Sequence, residues 1–318
     1  MIEDWKRILS TSAAEWGLPA NGEWNFLFHN NYQPAGSTIN LLWFHQNDEF
    51  PRVVTKMCRD PEILTREFQT LQMVHKMAPD CAPRPLHIGT ADGFCMLWME
   101  GVPGCRIPTR RHYPVSMLIP ALDAIATIHR GVNRGIENST AGRHARMAAA
   151  PIDAVLHCEI SSAVRDGCLA LREIATVDWL HALPIIPQHG DLYLDNVLCY
   201  RKECHIVDWE NFGLIDLPFY DALTLLLSFL RASGDTPDRW ARALITEIPL
   251  LLDRYARGLQ LQGPLPAALL PLTLVNRFYL HWIEKRSAAA AVMYAELAHY
   301  FEHPAFWQEV FLREVKSK

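Results

Sequence analysis

The sequence has no run of like charge and no C-x-x-C cysteine pair, and its most apolar stretches are too short to cross a bilayer. Each absence excludes something. With 30 basic against 35 acidic side chains, the formal net charge is -5, and no basic block offers a footing for nucleic acid. The most apolar stretches, residues 223–230 and 267–275, fall well short of the ~20 residues of a membrane helix. Met1-Ile2-Glu3-Asp4-Trp5-Lys6 has neither the basic start nor the apolar core of a secretory signal. Eight cysteines stand singly, at 58, 81, 95, 105, 158, 168, 199 and 204. A chain of this size needs no disulfide framework, so the expectation is reduced thiols in a cytoplasmic, soluble protein that meets no membrane. Cys199, Cys204 and His205 lie close together, but the second ligand pair of a tetrahedral zinc site does not follow.

What is present is an ordinary globular composition. Half of the 318 residues are hydrophobic and a fifth are charged, enough for one large domain or two lobes. Residues 38–45 and 52–57 are rich in β-branched and aromatic side chains, with Gln46-Asn47-Asp48 between them, and predict a hairpin. Asp60-Pro61-Glu62 then opens a helix that runs to about Met77. A second strand pair, 86–89 and 94–99, flanks the turn Ala91-Asp92-Gly93. From Ser116 onward helical periodicity takes over: Leu118, Ile119, Leu122, Ile125, Ala126 and Ile128 form one apolar face. Further helices are expected near 151–165, 168–181, 219–232, 238–259, 266–286 and 303–316, interrupted by a short β segment at 197–200 and 205–207. The chain therefore reads as α+β, with a small β-rich lobe at 1–98 and a larger, mainly helical lobe at 99–318. Gly101-Val102-Pro103-Gly104 is the hinge-like run after the junction.

The chemically informative stretch is Gln188-His189-Gly190-Asp191-Leu192-Tyr193-Leu194-Asp195-Asn196, followed by Ile206-Val207-Asp208-Trp209-Glu210. Phosphoryl transfer needs positioned charge more than covalent partners. An acidic group must orient the attacking hydroxyl, and oxygen ligands must hold Mg²⁺ on the nucleotide phosphates. An Asp, an Asn five positions later and a second Asp beyond a short hairpin supply those three groups. Taken singly, each of these residues would be an ordinary loop residue; the joint spacing is what carries the reading.

These residues resemble the catalytic and metal loops of the aminoglycoside phosphotransferase and choline kinase superfamily, small-molecule relatives of the protein kinases. The family pattern is H-G-D-x-x-x-x-N followed by I-D-W/F-E. Gly190 stands where protein kinases carry Arg, and residues 208–216 leave no room for a long activation segment, so a protein kinase is disfavoured. The resemblance implies a two-lobed, protein-kinase-like fold. It also implies transfer of the γ-phosphate of ATP or GTP to the hydroxyl of a sugar, amino sugar, amino alcohol or aminoglycoside-like antibiotic, with Mg²⁺. It makes Asp191 the catalytic base, Asn196 and Asp208 the metal ligands, and Lys56 the phosphate contact with Glu67 as its ion-pair partner. Gly36, Ser37 and Thr38 stand where the phosphate-covering loop belongs, although this is no G-x-G-x-x-G. The backbone of Glu100 and Val102 would receive the adenine base. Asp221 matches a residue that braces the catalytic loop, and it would equally serve as a helix cap.

For the acceptor, geometry within that fold favours the C-terminal helices, with Tyr193, Trp282 and Glu284 as candidate wall residues; aromatic faces and a carboxylate would suit an amine. Phe278, Trp282 and Lys285 at helical spacing fit core packing equally well. The alternative from another class is a nucleotide-binding pseudokinase acting as a partner module.

Overall fold

The computed structural model describes residues 2–30, 38–107, 115–135, 141–234, 237, 247–262, 265–283 and 287–311. The chain divides into two compact units, one of residues 1–107 with 195–212, the other of 108–194 with 213–318.

The first unit begins with α1 (Ile2–Ser12) and β1 (Trp24–Asn30), followed by β2 (Ile39–His45), β3 (Val53–Cys58), α2 (Pro61–Met77), β4 (Pro85–Ala91), β5 (Phe94–Glu100) and β6 (Cys105–Arg106); β7 (Val197–Tyr200) and β8 (Glu203–Ile206) rejoin it later in the chain. Five antiparallel strands form one sheet in the order β1-β2-β3-β5-β4, and β6-β7-β8 form a second. The predicted hairpin is β2–β3, and the predicted second pair is β4–β5. On one face of the larger sheet Trp5 and Leu9 of α1 pack with Trp16, Trp24, Trp43, Val53, Met57 and Trp98. Large aromatic faces dominate this small core because each removes 150–250 Å² from water. α2 starts as its sequence predicts. Asp60 caps it by accepting from Glu62 N at 3.0 Å, and Pro61, which has no N–H to lose, fills the first turn.

Cys199 and Cys204 face each other across β7 and β8 and are joined by a disulfide. This corrects the expectation of eight reduced thiols. Cross-strand register, invisible in the sequence spacing, puts the two side chains on the same face.

The second unit is helical: α3 (Ile119–Val132), α4 (Ala141–His144), a π-helical turn at Ala145–Ala149, α5 (Ala150–Leu156), α6 (Ser162–Ile174), α7 (Val177–His181), α8 (Tyr220–Ser233), α9 (Ile248–Gly258), α10 (Leu269–Ile283), α11 (Ser287–Glu302) and α12 (Pro304–Phe311). Two helix breaks depart from expectation, each because a hydroxyl caps a new helix, and the expected start at 238 lies outside the described residues. Ser161 Oγ accepts from Val164 N at 3.4 Å, and Thr176 Oγ1 from Trp179 N at 3.3 Å. α11 was not expected, since its alanine-rich start shows no apolar stripe. The sequence reading passed over one helical stretch among the described residues, Val115–Val132, that is long and apolar enough for a bilayer by length and composition; over half of it is buried, and α3 packs on α9.

Candidate active site

Strand alternation decides where Lys56 points. Val53 and Met57 of β3 belong to the tryptophan core, and Thr55 Oγ1 accepts a bond from Trp43 Nε1 at 2.9 Å. Lys56 therefore leaves β3 on the opposite face, against which α2 packs. There Glu67 stands in the buried stripe Leu64, Glu67, Leu71 and Val74. A carboxylate in such a place needs a partner. Lys56 Nζ donates to both Glu67 oxygens, at 2.8 and 2.7 Å, and to Asp208 Oδ1. Burial works against the Lys56 charge, but Asp208, Glu67 and Glu210, in that order, outweigh it and hold the ammonium well above its ordinary pKa.

Asp208 follows β8 with φ 71° and ψ 63°, the left-handed region, which costs a non-glycine residue ~1–3 kcal/mol. Bonds on both sides hold it there. Val207 N donates to the carbonyl of Asn196 at 3.0 Å, and Trp209 N donates to Glu67 Oε1 at 3.2 Å. The first bond also ties Asn196, in the one-turn helix Leu194–Asn196, to the residue next to Asp208. Carboxylate oxygens of Glu67, Asp208 and Glu210 lie within 4.8 Å of one another. One ammonium against three carboxylates leaves an excess of hard, negative oxygen donors, a set that suits Mg²⁺. Glu210 had no role in the sequence reading; its place two residues after Asp208 was the available signal.

Asp191 lies in the second unit, half-buried, at the end of a loop braced from behind. Asp221, fully buried in the first turn of α8, accepts from His189 N at 2.6 Å and Gly190 N at 3.1 Å. Gln188 Oε1 in turn accepts from Asp221 N at 3.0 Å. Phe219 occupies the N-cap position of α8, so Asp221 is the brace and not the cap. Gly190 has φ 88°, where a side chain would be strained. On its far side, Asp221 meets His129 Nε2 at 3.0 Å, and His129 Nδ1 is hydrogen-bonded to Tyr255 at 2.6 Å. In the sequence His129 shows only as the end of an apolar face.

The remaining expected residues fall as follows. Thr38, half-buried, immediately precedes β2, while Gly36, Ser37 and Glu284 lie outside the described residues. Glu100 ends β5, and its N–H is taken by the Arg84 carbonyl at 2.8 Å. Val102 follows Gly101, whose N–H donates to the Arg52 carbonyl at 2.8 Å. The Tyr193 hydroxyl turns into the helices, hydrogen-bonded to His281 Nε2 at 2.8 Å and donating to Met293 Sδ at 3.8 Å. Trp282, near the end of α10, is 47% exposed.

Residues 32–270 match the sequence model of the phosphotransferase enzyme family, APH. No curated protein matches the chain. Among solved structures, a glucosamine kinase in complex with glucosamine, ADP and inorganic phosphate superposes with a TM-score of 0.59 at 14% identity, over 94% of this chain and 86% of that one. A thermostable mutant of aminoglycoside phosphotransferase APH(4)-Ia, in ternary complex with ADP and hygromycin B, gives 0.54 at 13% identity, over 93% and 97%. A choline/ethanolamine kinase family protein from Mesorhizobium loti gives 0.52 at 14%, over 96% and 97%. At these identities the likeness is one of fold: all three are kinase-like phosphotransferases.

Proposed function

The chain belongs to the phosphotransferase enzyme family, and on that premise we propose that it moves the γ-phosphoryl group of ATP or GTP to a hydroxyl group of a small molecule. The observation that carries this reading is the assembly of buried Lys56 and Glu67 with half-buried Asp208, and Glu210 beside it. A buried lysine that keeps its charge is a fixed cation for nucleotide phosphates. Glu67, bonded to the ammonium through both oxygens, limits the rotamers of Lys56. Asp208 and Asn196, joined by Glu210, would hold Mg²⁺, which when bound neutralises charge on the phosphates. Thr38, with Gly36 and Ser37 before it, would cover the phosphates. The base would rest against the Glu100 carbonyl and the Val102 N–H, the Glu100 N–H being already engaged. Asp191 would take the proton of the acceptor hydroxyl, on a loop that the Asp221 brace keeps rigid.

The acceptor class is a sugar, amino sugar, amino alcohol or aminoglycoside-like antibiotic. The fold neighbours suggest where a panel should start: glucosamine, choline, ethanolamine and hygromycin B. A nucleotide donor is a cytoplasmic resource, and we place the enzyme there; in that compartment the Cys199–Cys204 bridge would be open to reduction. The test is nucleotide consumption by the full chain with Mg²⁺ over pooled hydroxyl compounds, with products identified by mass. We expect one pool to yield a product heavier by one phosphoryl group. Nucleotide binding without transfer in any pool would favour a pseudokinase instead.

A further inference from the structure

Behind Tyr193, in the second unit, lies a charged cluster that the proposed chemistry leaves unused. Arg277 of α10 is 1% exposed and donates from Nη1 to Glu296 Oε2 of α11 at 2.7 Å. Arg231 of α8 donates to the other oxygen, Glu296 Oε1, from Nη2 at 2.7 Å and from Nε at 3.0 Å. Two guanidinium groups thus share one buried carboxylate. The rest of the Arg277 guanidinium faces Tyr193, 5.7 Å from the ring centre, and the Tyr193 side chain helps to hold the guanidinium charged.

Stability does not account for this arrangement. A buried ion pair seldom outperforms apolar side chains of the same volume. Costly local features of this kind concentrate where function requires them. What the guanidinium reaches is Tyr193, two residues after Asp191 and linked to it by a bond from Tyr193 N to the Asp191 carbonyl at 2.9 Å. Burial, followed by Asp191, opposes ionisation of Tyr193, with Arg277 and Arg231 acting the other way, so these groups lie within electrostatic reach of one another.

We propose that Arg277, anchored by Glu296, is a positioning residue for phosphoryl transfer: its guanidinium seats the Tyr193 ring and thereby fixes Asp191. This rests on the reading of Asp191 as the group that receives the acceptor proton. Glu296 and Arg231 make the seat rigid by tying α8, α10 and α11 to one another.

The test uses the full chain with Mg²⁺, ATP and the acceptor found in the pooled screen, or slow ATP hydrolysis by water if the screen yields none. Arg277→Lys keeps the charge and volume but loses the planar fork. We expect its kcat to fall by about 10- to 100-fold, the scale of misplacing a reacting group by up to an ångström, with the nucleotide KM unchanged. Arg277→Met should fall further, and Glu296→Gln should fall in parallel with Arg277→Lys. In a Tyr193→Ala background, Arg277→Lys should bring no further loss, because coupled residues are not additive. Unchanged kcat per folded molecule in Arg277→Lys, or additive losses in the double variant, would overturn the proposal. Loss of thermal stability and nucleotide binding in step with kcat would also overturn it, leaving a structural ion pair. Full activity in Asp191→Asn would instead remove the reading beneath it, a separable result.

Discussion

The roles proposed for Asp191 and Asp208 differ, and their chemistry predicts different failures. Asp191→Ala should leave Mg²⁺–nucleotide binding nearly intact while cutting turnover by roughly 10²-fold or more, the scale of losing a general base. Asp208→Ala should damage both, because it removes a proposed metal ligand and leaves the Lys56 cation with one fewer anion. Titration calorimetry with a non-hydrolysable nucleotide, set beside a turnover assay, separates the two. Equal nucleotide affinities for Asp208→Ala and wild type would sink the metal-ligand assignment. His205 supplies a second prediction at this scale. Its ring is buried with neither nitrogen hydrogen-bonded, and burial lowers its pKa below the ordinary histidine range. The unfolded chain therefore binds a proton at higher pH than the folded one, so stability rises with pH across that window and is lost as pH falls below about 6.5. His205→Leu should flatten this part of the stability–pH curve relative to wild type. Parallel curves for the two proteins would refute it.

At the scale of elements, the sequence served best where local rules act. The Asp60 cap and Pro61 start of α2, the β2–β3 hairpin and the β4–β5 pair are all fixed by neighbours in the chain. It served worst where the signal was uniform or distant. α11 has no apolar stripe in its first turns, and the breaks at Ser161 and Thr176 hide in continuous helical patterns. The segment after β5 carries its own test. A Cβ placed on Gly101 would come within 2.0 Å of the Pro51 carbonyl oxygen, a backbone atom that cannot rotate away. Gly101→Ala should therefore shift this segment and cost about 1–3 kcal/mol, as overpacking does. If the segment holds the base as proposed, nucleotide affinity should fall with it. A variant as stable and as tightly binding as wild type would exclude both the clash and the role.

For the whole molecule, the proposal makes a thermodynamic claim independent of the acceptor. A ligand that binds only the folded chain stabilises it by mass action, by about 2.7 kcal/mol at a hundred times its dissociation constant. ATP or GTP with Mg²⁺ should raise the melting temperature, and chelation of the metal should remove most of the gain. No shift with either nucleotide at millimolar concentration would count against a kinase. The order of Lys56, Glu67, Asp191, Asn196 and Asp208 along the chain, and the family to which they point, were legible from the sequence, because phosphoryl transfer demands those residue types at local spacings. Glu210 in the acidic group, the disulfide across β7 and β8, the turn of Tyr193 into the helices and the Arg231–Glu296–Arg277 cluster were decided by the tertiary structure alone. The disulfide depends on cross-strand register and the others on packing against residues far apart in the chain, and sequence spacing carries no record of which buried groups will meet.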